Sequence, residues 1–262
     1  MNLAPLSHET HAALRLRPLA SYNFAKTSAL VSLYASEVYR AAHEYPVTFS
    51  AEPDGFFPAA LLGTAPNQNL FVDPHGRWLS AYTPALWRRG PFRIAKVKES
   101  DGFVLCVDLD SEQLSETEGE PLFDADSKPS ALVSQSMQFL AKLESERAMT
   151  LAACAAMDRL GLLVPWDLKV QRADGSTHML QGLSRIDEAK LNGLDPESLH
   201  ELQRIGALAL IYAHLFSLQK MALLGRLAGD RAKASEQQKD LTAGKLDLDR
   251  VFGIVEDDPF IF

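Results

Sequence analysis

The sequence has little cysteine and no excess of positive charge. Its 262 residues contain only Cys106 and Cys154, each inside an apolar run ("FVLCVDL" and "LAACAAM"). This gives no sign of a disulfide framework and predicts that both thiols are buried. The net charge of -8 at pH 7 argues against general nucleic-acid binding, which requires a basic surface. We therefore expect no nucleic-acid partner.

The sequence also lacks a long uninterrupted apolar run. Its most apolar stretch, "IGALALIYAHLFSL" at 205–218, is shorter than the roughly 20 residues that cross a bilayer and contains His214. It predicts a buried helix and no membrane span. The first 19 residues carry charges and histidines where a signal peptide would have an unbroken apolar stretch. The expected localisation is cytoplasmic.

The motifs of the common catalytic classes are missing as well. There is no G-x-S-x-G sequence, no phosphate-binding loop and no dinucleotide-binding fingerprint. Neither cysteine has an obvious base beside it in the sequence. These absences favour a non-catalytic protein without excluding an enzyme, and they imply no cofactor.

Strand and helix patterns are both present. The segments "VTFSA", "FPAALLG" and "NLFVD" are typical of strands, and "FRIAKVK" with "FVLCVDL" predicts a hairpin, as do the strands around "ADGS". Helices are predicted from Ser130 to Leu160 and, with Asp195 as N-cap, from there to Leu224. The predicted fold class is α+β, with an antiparallel β-sheet from the N-terminal half and a later hairpin packed against two or three long helices. We expect one domain over 1–225 and a polar linker with an acidic, apolar tail over 226–262.

The stretch "YTPALWRRGPF", residues 82–92, places two arginines among aromatic residues. Its candidate ligand-binding residues are Tyr82, Trp87, Arg88, Arg89 and Phe92. Guanidinium groups bind carboxylates or phosphates through paired hydrogen bonds, and the rings would supply a stacking surface. On an extended segment the two arginines point to opposite faces, whereas a turn at the following Gly-Pro would let both act on one ligand. The alternative, a structural salt bridge to one of the chain's many acids, is the more common role of such residues.

Two aspartates are weak candidates for a metal site. Asp108 and Asp110 alternate along a predicted strand and therefore share a face, where their oxygens would suit a hard cation. A solvated strand face explains the same residues, and no calcium-binding loop pattern is present. Together with His11 and His43 they form the alternative hypothesis, a metal-assisted enzyme of unknown reaction.

The last twelve residues, "VFGIVEDDPFIF", combine apolar and acidic side chains. Phe252, Phe260 and Phe262 are candidates for docking on a protein partner, and packing on the same chain is the alternative. Self-assembly into homo-oligomers remains open.

Several landmarks occur in order over most of residues 8–220. They are "HAALRLRP" (11–18), "EYPVTF" (44–49), "ALLG" (60–63), "NLFVDPHGRW" (69–78), "YTPALWRRGPF" (82–92), "LCVDLDS" (105–111), "GEPLFDADSKPS" (119–130) and "GALALIYAHLFSL" (206–218). With these landmarks the chain resembles the SapC-like family of bacterial proteins, which is named after a surface-layer-associated component. One departure is Gly90, because relatives usually carry an aromatic residue there.

The resemblance implies a cellular role for the protein but no particular chemical reaction. The family name points to surface-layer biology, and members are encoded near TonB-dependent receptors, flavin-dependent halogenase-like proteins and cupin-like proteins. No catalytic residues carry over from the family. The resemblance thus implies a non-catalytic binding or accessory protein, linked to envelope transport or surface-layer systems, whose partner is a protein or a small anionic ligand.

Overall fold

The computed structural model describes residues 2–96, 102–171 and 177–242. It confirms the predicted α+β class, since antiparallel strands and helices pack together. The strands are β1 (Leu3–Pro5), β2 (Arg15–Leu16), β3 (Leu30–Ser32), β4 (Val47–Glu52), β5 (Gly55–Leu61), β6 (Phe92–Lys96), β7 (Phe103–Asp108), β8 (Leu114–Ser115), β9 (Glu120–Pro121), β10 (Leu163–Pro165), β11 (Leu168–Gln171), β12 (Thr177–Leu180) and β13 (Leu183–Ile186). The helices are α1 (His8–His11), α2 (Ala35–Ala42), α3 (Ala85–Arg88), α4 (Ala131–Arg159), α5 (Glu188–Asn192), α6 (Pro196–Arg204), α7 (Ala207–Ser217) and α8 (Met221–Thr242).

The described strands form four small sheets. The largest has the order β10-β13-β4-β5-β3, and the others are β1-β7-β6, β8-β2-β9 and the pair β11-β12. Both predicted hairpins are confirmed, because β6 pairs with β7 and β11 pairs with β12, each antiparallel. The predicted strand "NLFVD" forms only an isolated bridge between Val72 and Trp78. There the Asn69 side chain donates to the Ala25 carbonyl, 44 residues away, and accepts from the Phe71 amide.

The apolar core consists of two clusters that share one helix. The first joins the five-stranded sheet to α2, α7 and the C-terminal half of α4. The second joins β6 and β7 to the N-terminal half of α4. Cys154 is buried in the first cluster and Cys106 is buried on β7, as predicted. Helix α3 lies between the clusters, since Ala85 belongs to the second while Leu86 and Trp87 pack against the first.

The helical C-terminal half starts at the predicted N-cap but is divided where one helix was predicted. The Asp195 side chain caps α6 by accepting from the Ser198 amide at 2.9 Å, and this hydrogen bond lowers the pKa of Asp195. Gly206, in the left-handed conformation with φ of 77°, then separates α6 from α7. A 3-10 turn at Leu218–Lys220 separates α7 from α8, so the predicted helix from Asp195 to Leu224 is three helices.

Helix α8 crosses the boundary predicted at residue 225. It continues to Thr242, so the polar segment 226–242 is helical and is not the irregular linker that its composition suggested. Its residues, such as those in "RAKASEQQKDL", have high helix propensity, which outweighs the lack of apolar residues. The division into domains itself stays a prediction.

By length and composition alone, one helical run in the described part of the chain, Ala207–Gln237, is able to cross a membrane. Only 39% of its most apolar window is buried. Yet its buried polar groups bind the sheet, because His214 Nδ1 donates to the Val47 carbonyl at 2.8 Å and Ser217 Oγ accepts from the Val47 amide at 2.8 Å. These bonds attach α7 to the sheet, and the absence of a membrane span stays a prediction.

Candidate functional site

The tandem arginines lie on a helical turn and not on an extended strand. The Pro84 carbonyl accepts from the amides of Trp87 and Arg88, which closes the single turn of α3. Gly90 follows with φ of 61°, a conformation that favours glycine, and it reverses the chain into β6. The extended alternative is therefore wrong, and the predicted turn at Gly90 is present.

A buried carboxylate on α2 holds this segment in place. Glu37 Oε2 accepts from the Tyr82 hydroxyl at 2.6 Å and from the Ala85 amide at 2.8 Å, and its other oxygen accepts from the Tyr34 amide at 3.0 Å. Burial, and then the hydrogen bond to Glu37, raises the pKa of Tyr82, so its hydroxyl remains a donor. Sequence reasoning missed Glu37, because Tyr34 is not a usual capping residue and 45 residues separate the carboxylate from Tyr82.

Arg88 points away from its neighbour. Its Nε donates to the Thr83 carbonyl at 3.0 Å and its Nη2 donates to the Tyr82 hydroxyl at 3.3 Å. The guanidinium carbon lies 5.7 Å from the Tyr82 ring centre and 5.5 Å from that of Phe139. Arg88 is thus an exposed cation held by two rings and a carbonyl.

Arg89 instead lines a cleft of about 540 Å³. Its Nε atom is buried and has no hydrogen-bond partner within the part of the chain that the structure describes. Burial, and then the positive charge of Arg93, lowers the pKa of Arg89 to about 10. Among the described residues, neither Arg88 nor Arg89 forms an ion pair with a carboxylate.

The cleft has walls of different chemistry. Phe24, Leu86 and Trp87 form an apolar side, two arginines form a cationic side, and three acids lie on the lining as well. The Arg93 guanidinium donates to the carbonyls of Gly90 and Phe92, which fixes it beside Arg89. The full lining is Leu19, Ser21, Asn23, Phe24, Leu86, Trp87, Arg89, Gly90, Pro91, Arg93, Asp108, Asp110, Ser111, Glu112 and Gln113. The site therefore combines residues from three separate stretches of the chain.

The five predicted ligand-binding residues have different places in this geometry. Trp87 and Arg89 line the cleft. Tyr82 lies behind it, bonded to the buried carboxylate of α2, and Arg88 faces outward. Phe92 is buried in the second apolar cluster. Ligand binding at the cleft stays a prediction.

The predicted metal candidates also reach the cleft but do not converge with the histidines. Asp108, at the end of β7, accepts from the amides of Asn2 and Asp110, and Asp110 lies in the turn that follows. His11 is buried near the start of the chain, whereas His43 lines a different groove. Within residues 2–96, 102–171 and 177–242, no three His, Cys, Asp or Glu side chains are grouped to hold a metal ion. The geometry of the described residues thus gives the metal-assisted alternative no support.

The proposed docking residues Phe252, Phe260 and Phe262 lie outside the described residues.

Comparison with known proteins identifies the family. No curated protein and no solved structure matches this chain. A family model described as SapC matches residues 6–224, a range that includes every residue lining the cleft. Because this range covers most of the 262 residues, the chain belongs to the SapC family.

Proposed function

We propose that this SapC-family protein is a non-catalytic binding or accessory protein, and that the cleft at Arg89 binds an anionic group of a small ligand or of a protein partner. The observation that carries the proposal is the half-buried Arg89 guanidinium, whose Nε has no partner among the described residues. A carboxylate is the simplest group that would compensate this charge from the cleft.

The argument rests on the cost of burying an unpaired charge. Removing a cation from water without a partner disfavours its charged form, and the pKa of Arg89, lowered to about 10, expresses this cost. The nearby Arg93 adds repulsion. A bound anion would accept hydrogen bonds from the planar guanidinium and offset the repulsion from Arg93.

The apolar side of the cleft suggests what carries the anion. Trp87 makes edge contacts with Trp78, at 5.1 Å between ring centres, and with Phe24, at 6.2 Å, so its ring is held in place. Fixed aromatic walls favour a flat or apolar group next to the anion. The preferred ligand is therefore an anion attached to a ring or an apolar chain.

The acids on the lining restrict the ligand further. Asp108, Asp110 and Glu112 lie on the same cleft as the arginines. Their negative charges disfavour a ligand with several negative groups more strongly than a ligand with a single carboxylate. We infer a preference for singly charged anions over phosphate.

The wider role rests on the family. The family name suggests service to surface-layer systems, the genes near relatives suggest envelope transport, and the N-terminal sequence suggests a cytoplasmic location. The alternative of an enzyme has no specific observation in its favour among the described residues.

Nuclear magnetic resonance of the indole N–H groups tests the cleft directly. The protein has three tryptophans, so Trp87→Phe identifies the signal of Trp87. Titration with benzoate is expected to shift that signal to saturation, and acetate and inorganic phosphate at equal concentration are expected to shift it less. Arg89→Ala should weaken benzoate binding about tenfold or more, because a hydrogen bond to a charged group is worth about 1.5–3 kcal/mol.

Two further variants sharpen the result. Arg89→Lys should weaken binding nearly as much as alanine, since a single ammonium does not reproduce the paired donors. Arg88→Ala is the matched control, because Arg88 does not line the cleft, and it should leave benzoate affinity nearly unchanged. Equal losses in Arg88→Ala and Arg89→Ala, or no benzoate-dependent shift of Trp87, would contradict the proposal.

A further inference from the structure

Helices α2 and α7 border a second groove, which is separate from the cleft at Arg89. Its volume is about 480 Å³. Its lining residues are Tyr39, Ala42, His43, Ala209, Ala213, Phe216, Gln219 and Lys220. Three alanines form part of the wall, so the groove offers a smooth apolar surface between two aromatic rings.

Large aromatic side chains are exposed along this groove. Phe216 is 68% exposed and Tyr39 is 56% exposed, although the opposite face of α7 is packed in the core. Tyr212, 47% exposed, stacks on Phe216 at 6.4 Å between ring centres. A cluster of exposed rings beside a hollow is typical of a surface that another segment covers.

The charged side chains discussed at this groove are positive. Lys220 lines it, the Arg40 guanidinium lies 5.7 Å from the ring centre of Tyr39, and no Asp or Glu occurs among the lining residues. Arg40 Nε donates to the Tyr39 hydroxyl at 2.9 Å, which holds this cation at the rim. The groove therefore suits an apolar segment that carries carboxylates.

We propose that this groove is the docking site of the chain's own residues 251–262. Their sequence, "VFGIVEDDPFIF", has apolar residues on both sides of three consecutive acids, Glu256, Asp257 and Asp258. The aromatic residues fit the apolar wall, and the acids complement Lys220 and Arg40. No carboxylate of the groove opposes this segment.

The chain length allows intramolecular docking. Helix α8 begins directly after Lys220 and has 22 residues, which carries the chain about 33 Å from the groove at 1.5 Å per residue. The residues from 243 to 255, which precede the three acids, then reach back up to about 43 Å when extended, so the acids and the phenylalanines after them can reach Lys220. Because this reach exceeds the distance required, docking within one chain has the advantage of a high effective concentration.

Photocrosslinking of the full chain tests the docking. A benzophenone amino acid placed at Phe216 is expected to form cross-links to peptides from residues 251–262, in protein that migrates as a monomer. The same amino acid at Met149, which is 57% exposed on α4 and does not line the groove, is the matched control and should not. Lys220→Glu in the Phe216-substituted chain should reduce the cross-link yield about fivefold, because it replaces an attraction with a repulsion.

Each outcome decides the proposal. Cross-links between two chains would show that a second copy occupies the groove, and cross-links to other regions, or none to residues 251–262, would show that the segment does not dock there. A yield unchanged by Lys220→Glu would remove the charge argument. Circular dichroism of each variant shows that the fold is retained, and none of these results bears on anion binding at Arg89.

Discussion

Replacing Arg89 with methionine should stabilise the protein while abolishing anion binding. The guanidinium is half-buried, its Nε has no partner among the described residues, and Arg93 repels it. Methionine keeps the length and apolar packing of the arginine stem and removes the charge. Residues that lower stability are common at binding sites, because the groups that bind a ligand are often unfavourable for the fold.

The magnitude follows from the pKa. A pKa lowered from 12.5 to about 10 means that the folded state holds the charge at a cost of about 3 kcal/mol before screening. Both the folded and the unfolded state are protonated at pH 7, so the cost persists throughout the physiological range. The side chain is only half-buried and water screens it, which reduces the expected gain to about 1 kcal/mol.

Urea unfolding at pH 7 and low salt, followed by circular dichroism, measures the change. Arg89→Met should raise the free energy of unfolding by about 1 kcal/mol, and the same protein should no longer bind benzoate. Arg88→Met is the matched control and should lower it by about 0.5 kcal/mol, because its exposed guanidinium loses the contacts with Tyr82 and Phe139. A loss of more than about 1 kcal/mol in Arg89→Met would refute the reasoning, since it would show that the guanidinium serves the fold.

Two further predictions concern the supports of the site and of the core. Glu37→Gln should lower the free energy of unfolding by about 2 kcal/mol in urea, because the amide NH₂ would face either the Tyr34 amide or both the Tyr82 hydroxyl and the Ala85 amide; a loss below about 0.5 kcal/mol would show that other contacts hold the segment. Burial lowers the pKa of His214 from 6.5 to about 4, so the unfolded chain takes up the proton first. The contribution of His214 to the free energy of unfolding should therefore be fully present above about pH 6.5 and decrease by up to about 3 kcal/mol as the pH falls toward 4. If the stability of His214→Gln falls as steeply with pH as that of the wild type, this assignment is wrong.

The elements whose signals are local could be predicted from the residues alone. The hairpins β6-β7 and β11-β12, the long helix α4 and the start of α6 at Asp195 were all predicted, because alternation, helical periodicity and capping depend on near neighbours. Local signals also misled in two places. The predicted strand "NLFVD" forms only an isolated bridge, and the high helix propensity of residues 226–242 extends α8 beyond its apolar part.

The tertiary structure alone decided the candidate site. The sequence indicated that Arg88 and Arg89 were candidate ligand-binding residues. The helical turn places Arg88 against the rings of Tyr82 and Phe139 and places Arg89 in the cleft. Glu37 has no sequence signal, because its partner is distant in the chain. Whether a charge is buried and unpaired depends on which distant segments exclude water from it, and the neighbouring residues in the sequence do not predict which segments these are.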